Sequence, residues 1–145
     1  MSRMQGSICL QVVSILSVSA GLPASWAVAD EAFRPPAVPL VTHDPYFSIW
    51  SPADRLADAW PCHWTGKRHA LASLIRVDGK AYRLMGPEPA AAAAMEQASV
   101  DVLPTRTVYE LRSAEVCVTL TFLTPALPGD LDLLSRPLTY VTWDV

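Results

Sequence analysis

The sequence is poor in the residues that hold metals and build nucleophilic sites. It has three cysteines, and none of them lies in a CxxC or CxxxH spacing, so no zinc site is predicted. It contains no GxSxG elbow, no SxxK motif and no papain-like cysteine context, so no assembled set for nucleophilic catalysis is evident. We therefore predict no metal and no cofactor, and the sequence assigns no catalytic residue.

Basic charge is also scarce. Eleven Lys and Arg residues stand against fourteen Asp and Glu residues, which gives a net charge of −3. Nucleic acids and anionic membranes are bound through basic patches. We therefore predict no nucleic-acid partner, and no membrane partner once the N-terminal segment described next has been removed.

A long uninterrupted apolar run is missing as well. The longest run, residues 8–22, is diluted by Gln11 and several serines, whereas a membrane-spanning helix needs about 20 mostly apolar residues. The run follows Arg3 and precedes Ala27-Val28-Ala29. A positive start, an apolar middle and an A-x-A site are typical of a secretory signal peptide. We predict cleavage after Ala29 and a secreted or periplasmic protein, with a membrane anchor as the alternative.

Two cysteines remain after this predicted cleavage, Cys62 and Cys117. In an exported chain they could form one disulfide. Alternatively they are two small buried apolar side chains, since Cys117 sits in a strong strand pattern. The sequence leaves both possibilities open.

The mature part of the chain reads as strands and turns. LASLIRV and KAYRLMG flank Asp78-Gly79, the strongest short signal for a hairpin with a type I′ turn. Three further strands are predicted at 99–104, 106–112 and 116–123. In the last of these, every second residue is apolar, which indicates one buried face. We predict a mostly β fold, an antiparallel β-sandwich that is the N-terminal portion of a larger sandwich domain.

The predicted organisation has four parts. A signal peptide (1–29) is followed by an N-terminal segment with the hairpin (30–86), which begins with a proline-rich extended lead-in. An alanine- and proline-rich loop (87–98) could carry one helical turn. The main sandwich starts at 99 and is truncated at 145, inside an alternating strand. This stop predicts a fragment of a longer protein, and we expect the segment 30–145 alone to be poorly soluble or oligomeric.

Histidines, an aspartate and large aromatics concentrate in THDPYFSIW and, thirteen residues further on, HWTGK. They are candidates for a substrate pocket or a domain interface. The candidates are His43, Asp44, Tyr46, Trp50, His63 and Trp64. Two alternatives stay open: Asp44 caps a turn while His43 bonds the backbone, and the tryptophans belong to an ordinary core or to a sugar-stacking platform.

Four blocks in fixed order carry a family resemblance: PLVTHDPYFSIW, WTGK, LIRVDGKAYRLMG and DLDLLSRP. Together they resemble the N-terminal region of the secreted glutaminase A family of fungi and bacteria. The resemblance covers about residues 35–145, apart from 87–98. It implies an exported protein whose β-sandwich precedes an (α/α)6 helical domain, and which hydrolyses L-glutamine to L-glutamate and ammonia.

The resemblance thus predicts the N-terminal, non-catalytic sandwich of a glutaminase-like amidohydrolase, inactive by itself. Its expected partners are the C-terminal helical domain and, in the complete protein, glutamine. Several glycoside hydrolases share this two-part architecture. The alternative is therefore a carbohydrate-binding or accessory sandwich of an exported glycoside hydrolase.

Overall fold

The computed structural model describes residues 35–145, so the predicted signal peptide and its cleavage site lie outside the described residues. Within that range most of the regular structure is strand, and the sheets are mainly antiparallel. The prediction of a mostly β, sandwich-like antiparallel fold is confirmed. No helix between residues 35 and 145 is long and apolar enough to cross a membrane.

The elements of the described chain follow one another in this order: β1 (Val38–Thr42), β2 (Ser48–Ser51), β3 (Ser73–Val77), β4 (Lys80–Met85), β5 (Ala93–Ala94), β6 (Glu96–Leu103), β7 (Arg106–Arg112), β8 (Cys117–Leu123), α1 (Leu131–Leu134) and β9 (Tyr140–Asp144). They form three sheets with the orders β1-β2, β3-β4-β5 and β6-β7-β8-β9. Neighbouring strands are antiparallel except β4 and β5, which run parallel.

The hairpin of β3 and β4 forms where the sequence predicts it. Asp78 and Gly79 both have positive φ, 46° and 81°, which is the conformation that a type I′ turn requires. The flanking residues Val77 and Lys80 are cross-strand partners. The turn therefore sets the register as far as Leu74, and the pairing shifts by one residue at Ser73.

The core lies on one face of the four-stranded sheet. Val118, Leu120 and Phe122 of β8 are 0–2% exposed, as the period of two predicts. Tyr109 of β7 pairs with Leu120 across the sheet and packs edge-to-face on Phe122, with 6.3 Å between ring centroids. Alternation along two neighbouring strands thus produces one continuous apolar surface.

Strand β1 covers that surface. It contacts β7 and β8 and buries Val38 and Leu40 almost completely. The Thr107 hydroxyl donates a hydrogen bond of 2.6 Å to the Pro39 carbonyl, which satisfies a polar group inside the layer. The sequence predicted only an extended lead-in here. The structure makes it a strand, paired with β2 and placed across the core.

The alanine-rich segment 87–98 differs from its predicted loop. Ala93–Ala94 forms β5 beside β4, and β6 begins at Glu96. Arg83 on β4 holds the segment in place, because its Nε donates to the Ala92 carbonyl at 2.9 Å and its backbone carbonyl accepts from Met95 at 2.9 Å. This pairing depends on tertiary contacts, which helix propensity does not report.

Both cysteines of the described chain are free thiols, so the possible disulfide between Cys62 and Cys117 does not form here. Cys117 is exposed, and the expectation of a buried thiol is wrong for it, because it lies on the outer face of β8. Its hydrogen bond to Arg112 on β7, together with Glu110, raises the pKa of that guanidinium. Cys62 is partly buried.

Candidate functional site

The loop between β1 and β2, residues 43–47, is built by Asp44. One carboxylate oxygen, Oδ1, accepts hydrogen bonds from the backbone N–H groups of Tyr46 at 2.7 Å and Phe47 at 2.9 Å. An aspartate that bonds the backbone two and three residues ahead stabilises a tight turn. Asp44 therefore caps the turn, one of the two roles that the sequence leaves open, while its second oxygen takes no part in these bonds.

A second loop, which carries HWTGK, is held against β2. Trp50 and Cys62 exchange two backbone hydrogen bonds of 2.8 and 2.9 Å. The loop then turns at Gly66, whose positive φ of 83° suits glycine. The backbone N–H of His63 donates to the Lys67 carbonyl at 2.8 Å and closes the turn. The two segments quoted from the sequence thus lie side by side.

One carbonyl joins the two loops. The Pro45 carbonyl accepts from Trp64 Nε1 at 2.6 Å and lies 3.0 Å from His63 Nε2. Because a carbonyl only accepts, His63 Nε2 carries a proton in this arrangement. In the neutral ring Nδ1 is then the acceptor for the Thr65 hydroxyl at 2.8 Å. The rings of His63 and Trp64 pack against each other with centroids 5.3 Å apart.

A pocket of about 380 Å³ opens where the two loops meet β2. The residues that line it are Thr42, Asp44, Pro45, Ser48, Trp50 and Trp64. We call it the tryptophan pocket. Asp44, Trp50 and Trp64 were predicted as site candidates, and the structure brings these three together.

The other candidates lie around the tryptophan pocket and do not line it. The His63 ring packs against the Trp64 ring, and both side chains contact the Pro45 carbonyl. His43 instead lines a separate pocket of about 330 Å³ with Thr105 and Thr124, and Tyr46 is 93% exposed. His43 Nε2 is 3.9 Å from Asp44 Oδ2. The candidates therefore belong to one region but not to one cavity.

Sequence reasoning missed Thr42 and Ser48. These two residues are cross-strand partners in the β1–β2 hairpin, and Ser48 shares a strand face with Trp50 because the side-chain period of a strand is two. Pairing of β1 with β2 was the missing information. Once this pairing is known, Thr42 and Ser48 can be placed beside Trp50 as residues that line the pocket.

The region shows no assembled machinery for covalent catalysis. Within residues 35–145 no group of three or more His, Cys, Asp or Glu side chains could hold a metal ion. Near the tryptophan pocket, Asp44 Oδ1 is occupied by the turn and His63 by Pro45 and Thr65. What the geometry supports is recognition of a ligand or of a protein surface.

Two family descriptions match the chain. Residues 10–95 match "Domain of unknown function (DUF4964)", and residues 105–145 match "Domain of unknown function (DUF5127)". The first match covers more than half of the chain, and it contains both loops that form the tryptophan pocket.

Curated relatives are similar over nearly the whole chain. "Glutaminase A" of Aspergillus oryzae is 34% identical over 147 aligned positions, which cover 96% of this chain and 20% of the relative. A "Probable glutaminase" of Arthroderma benhamiae is 29% identical, over 81% of this chain and 16% of the relative. The predicted resemblance to glutaminase A is confirmed, and the chain spans about a fifth of the length of these relatives. No solved structure matches the chain.

Proposed function

The chain belongs to the family described as "Domain of unknown function (DUF4964)", and from this membership and its glutaminase relatives we propose that it is the N-terminal, non-catalytic β-sandwich part of an exported glutaminase. The complete protein hydrolyses L-glutamine to L-glutamate and ammonia. In it, the sandwich packs against a C-terminal (α/α)6 helical domain.

The main support for this proposal is that nearly all of this chain aligns with a small part of a much longer relative. The chain aligns over 96% of its length with "Glutaminase A", yet over only 20% of that relative. Amide hydrolysis needs an activated nucleophile or water and a proton donor for the leaving ammonia. Such a set is not assembled among residues 35–145, so the chemistry is assigned to the remainder of the longer protein.

Exposed aromatic side chains support the proposed packing role. Tyr46 is 93% exposed and Trp64 64% exposed, and both lie on the two loops that meet at Pro45. Tyrosine and tryptophan are enriched in the buried centres of protein interfaces. This side of the sandwich is therefore proposed to face the helical domain.

Ammonia release tests the proposal. The reading frame downstream of codon 145 is sequenced, and the protein that it encodes is assayed with L-glutamine, beside the 145-residue chain. We expect release by the longer protein and none by the 145-residue chain. A longer protein without activity on glutamine would refute the substrate, and activity of the short chain would refute the non-catalytic role.

Export is proposed from the N-terminal pattern. Expression of the longer protein in its own host, followed by mass spectrometry of the mature N-terminus, is expected to give Asp30 as the first residue. A mature protein that retains Met1 in the cytoplasm would contradict export.

A further inference from the structure

The walls of the tryptophan pocket are aromatic carbon surface. Trp50 lines the pocket, but its Nε1 is buried and has no hydrogen-bond partner within the described chain. Trp64 Nε1 is bonded to the Pro45 carbonyl at 2.6 Å. Neither indole therefore offers its N–H to a ligand, and what the two rings present to the pocket is carbon.

The pocket also carries one negative charge. Asp44 is the single charged residue among the described residues that line it, and no Lys or Arg lies among them. The carboxylate is held in place because Oδ1 accepts two backbone hydrogen bonds. Its side chain is 42% exposed, so the carboxylate is accessible to solvent beside the pocket, with Oδ2 3.9 Å from His43 Nε2.

Aromatic walls and a carboxylate together are the requirements of an ammonium site. A cation over the face of an indole is attracted by the ring quadrupole, most strongly for tryptophan. Sites for quaternary ammonium groups are built from such aromatic walls. We propose that the tryptophan pocket binds a small organic cation with a quaternary ammonium group, held between Trp50 and Trp64 and paired with Asp44.

Other ligands fit the same pocket less well. A carboxylate ligand would be repelled by Asp44 and would find no basic partner among the lining residues. A neutral sugar could stack on the rings and donate a hydrogen bond to Asp44, but it would gain nothing from the net charge of the carboxylate, and the indole N–H groups and the Ser48 hydroxyl are buried or occupied. Charge complementarity therefore selects the cation.

The test compares two ligands that differ in charge and share their shape. Choline and 3,3-dimethylbutan-1-ol, with glucose as a third ligand, are titrated into the full 145-residue protein by calorimetry, and indole N–H shifts are followed by NMR. We expect choline to bind at one site per chain and the neutral alcohol to bind about tenfold more weakly. The indole signals of Trp50 and Trp64 are expected to move, and that of Trp143 to stay.

Two variants test the contributions of the Asp44 charge and of the Trp64 ring to choline binding separately. Asp44→Asn keeps an Oδ1 acceptor for the turn but removes the charge, and we expect choline binding to weaken about threefold or more. Trp64→Leu removes an aromatic wall and is expected to weaken it about tenfold. Asp58→Asn and Trp143→Phe change an exposed acid and a tryptophan outside the pocket, and should leave choline affinity unchanged.

Three results would overturn the proposal: no choline binding, equal binding of choline and the neutral alcohol, or binding of glucose in place of choline. The second would describe an apolar pocket without charge selection, and the third a sugar platform. If Trp64→Leu does not fold, the ligand pair and Asp44→Asn still decide. The ligand titrations use the 145-residue chain, in which the pocket is open, so their outcome depends neither on the glutaminase assay nor on the proposed packing against the helical domain.

Discussion

At the scale of single residues, a few side chains satisfy backbone groups of distant segments. Arg83 is the clearest case, because its guanidinium donates to the carbonyls of Ala92, Ala57 and Gly86 at 2.9, 2.8 and 3.0 Å. One planar donor group thus bonds to the residue before β5, to the segment that contains Ala57 and to the residue that follows its own strand. Arginine can do this because its five N–H donors are fixed in a fork.

Replacing Arg83 by lysine is expected to lower the free energy of unfolding by about 2 kcal/mol, since an ammonium cannot reach three carbonyls and leaves part-buried acceptors unsatisfied. Urea unfolding of the two proteins measures the difference. The control is Arg76→Lys on the exposed side of β3, expected within about 0.5 kcal/mol of the parent. Equal losses at both positions would show that the three bonds contribute nothing specific.

Two glycines with the same backbone conformation differ in their surroundings. Gly79 and Gly86 have φ of 81° and 86°. A Cβ at Gly79 would meet nothing within 4 Å, whereas one at Gly86 would lie 3.1 Å from the Leu71 carbonyl oxygen and 3.4 Å from the Trp60 ring. Only the second site adds crowding to backbone strain.

Gly79→Ala is therefore expected to cost about 1 kcal/mol from backbone strain alone. Gly86→Ala should cost about 2–4 kcal/mol, because the segment before β3 must also move away from the added methyl group. Thermal and urea unfolding of both variants measure the two losses. If Gly86→Ala is as stable as Gly79→Ala, the residues around Gly86 can move away from the added methyl group without loss of unfolding free energy.

At the scale of elements, the sequence predicts the strands and turns that are determined by chemistry within a short segment. The β3–β4 hairpin follows from Asp78-Gly79, and the buried face of β8 from its alternation. The pairing of β1 with β2, and of β5 with β4, depends on contacts between segments that no local pattern records. For the same reason the sequence grouped Asp44 and Tyr46 as candidates and could not show that Asp44 lines the tryptophan pocket whereas Tyr46 does not.

The last strand shows the same limit. Tyr140 and Trp143 fall on opposite faces of β9, so the strand period alone would place them in different surroundings. Both are about half exposed, 51% and 50%, since β9 is an edge strand of its sheet. Trp143 is nevertheless engaged, because its Nε1 donates to the Ser73 hydroxyl at 3.0 Å. This bond joins the four-stranded sheet to β3.

A double-mutant cycle measures that connection between sheets. Trp143→Phe keeps most of the ring but leaves the buried Ser73 hydroxyl unpaired, and we expect a loss of about 1 kcal/mol in unfolding free energy. Combined with Ser73→Ala, the two changes should cost less than the sum of the single ones, with a coupling of about 1 kcal/mol. Strictly additive losses would show that the bond does not help to hold the sheets together.

At the scale of the whole described chain, all three sheets contribute to one apolar groove of about 520 Å³. Ile49 comes from β2, Met85 from β4 and Phe122 from β8, and the segment leading into β9 closes the far side. Leu71 and Leu138 on its walls are 37% and 38% exposed. Apolar surface collected in one groove promotes association, whereas isolated exposed apolar residues do not.

We therefore expect the 145-residue chain to associate with itself as its concentration rises, which sedimentation velocity measures directly. Leu71→Glu should shift the protein toward monomer, because closing the groove would then bury an unpaired carboxylate at a cost of several kcal/mol. Leu131→Glu is the matched control, since Leu131 in α1 is 74% exposed and does not line the groove. A parent protein that stays monomeric throughout, or dissociation by Leu131→Glu to the same extent, would show that the groove does not drive association.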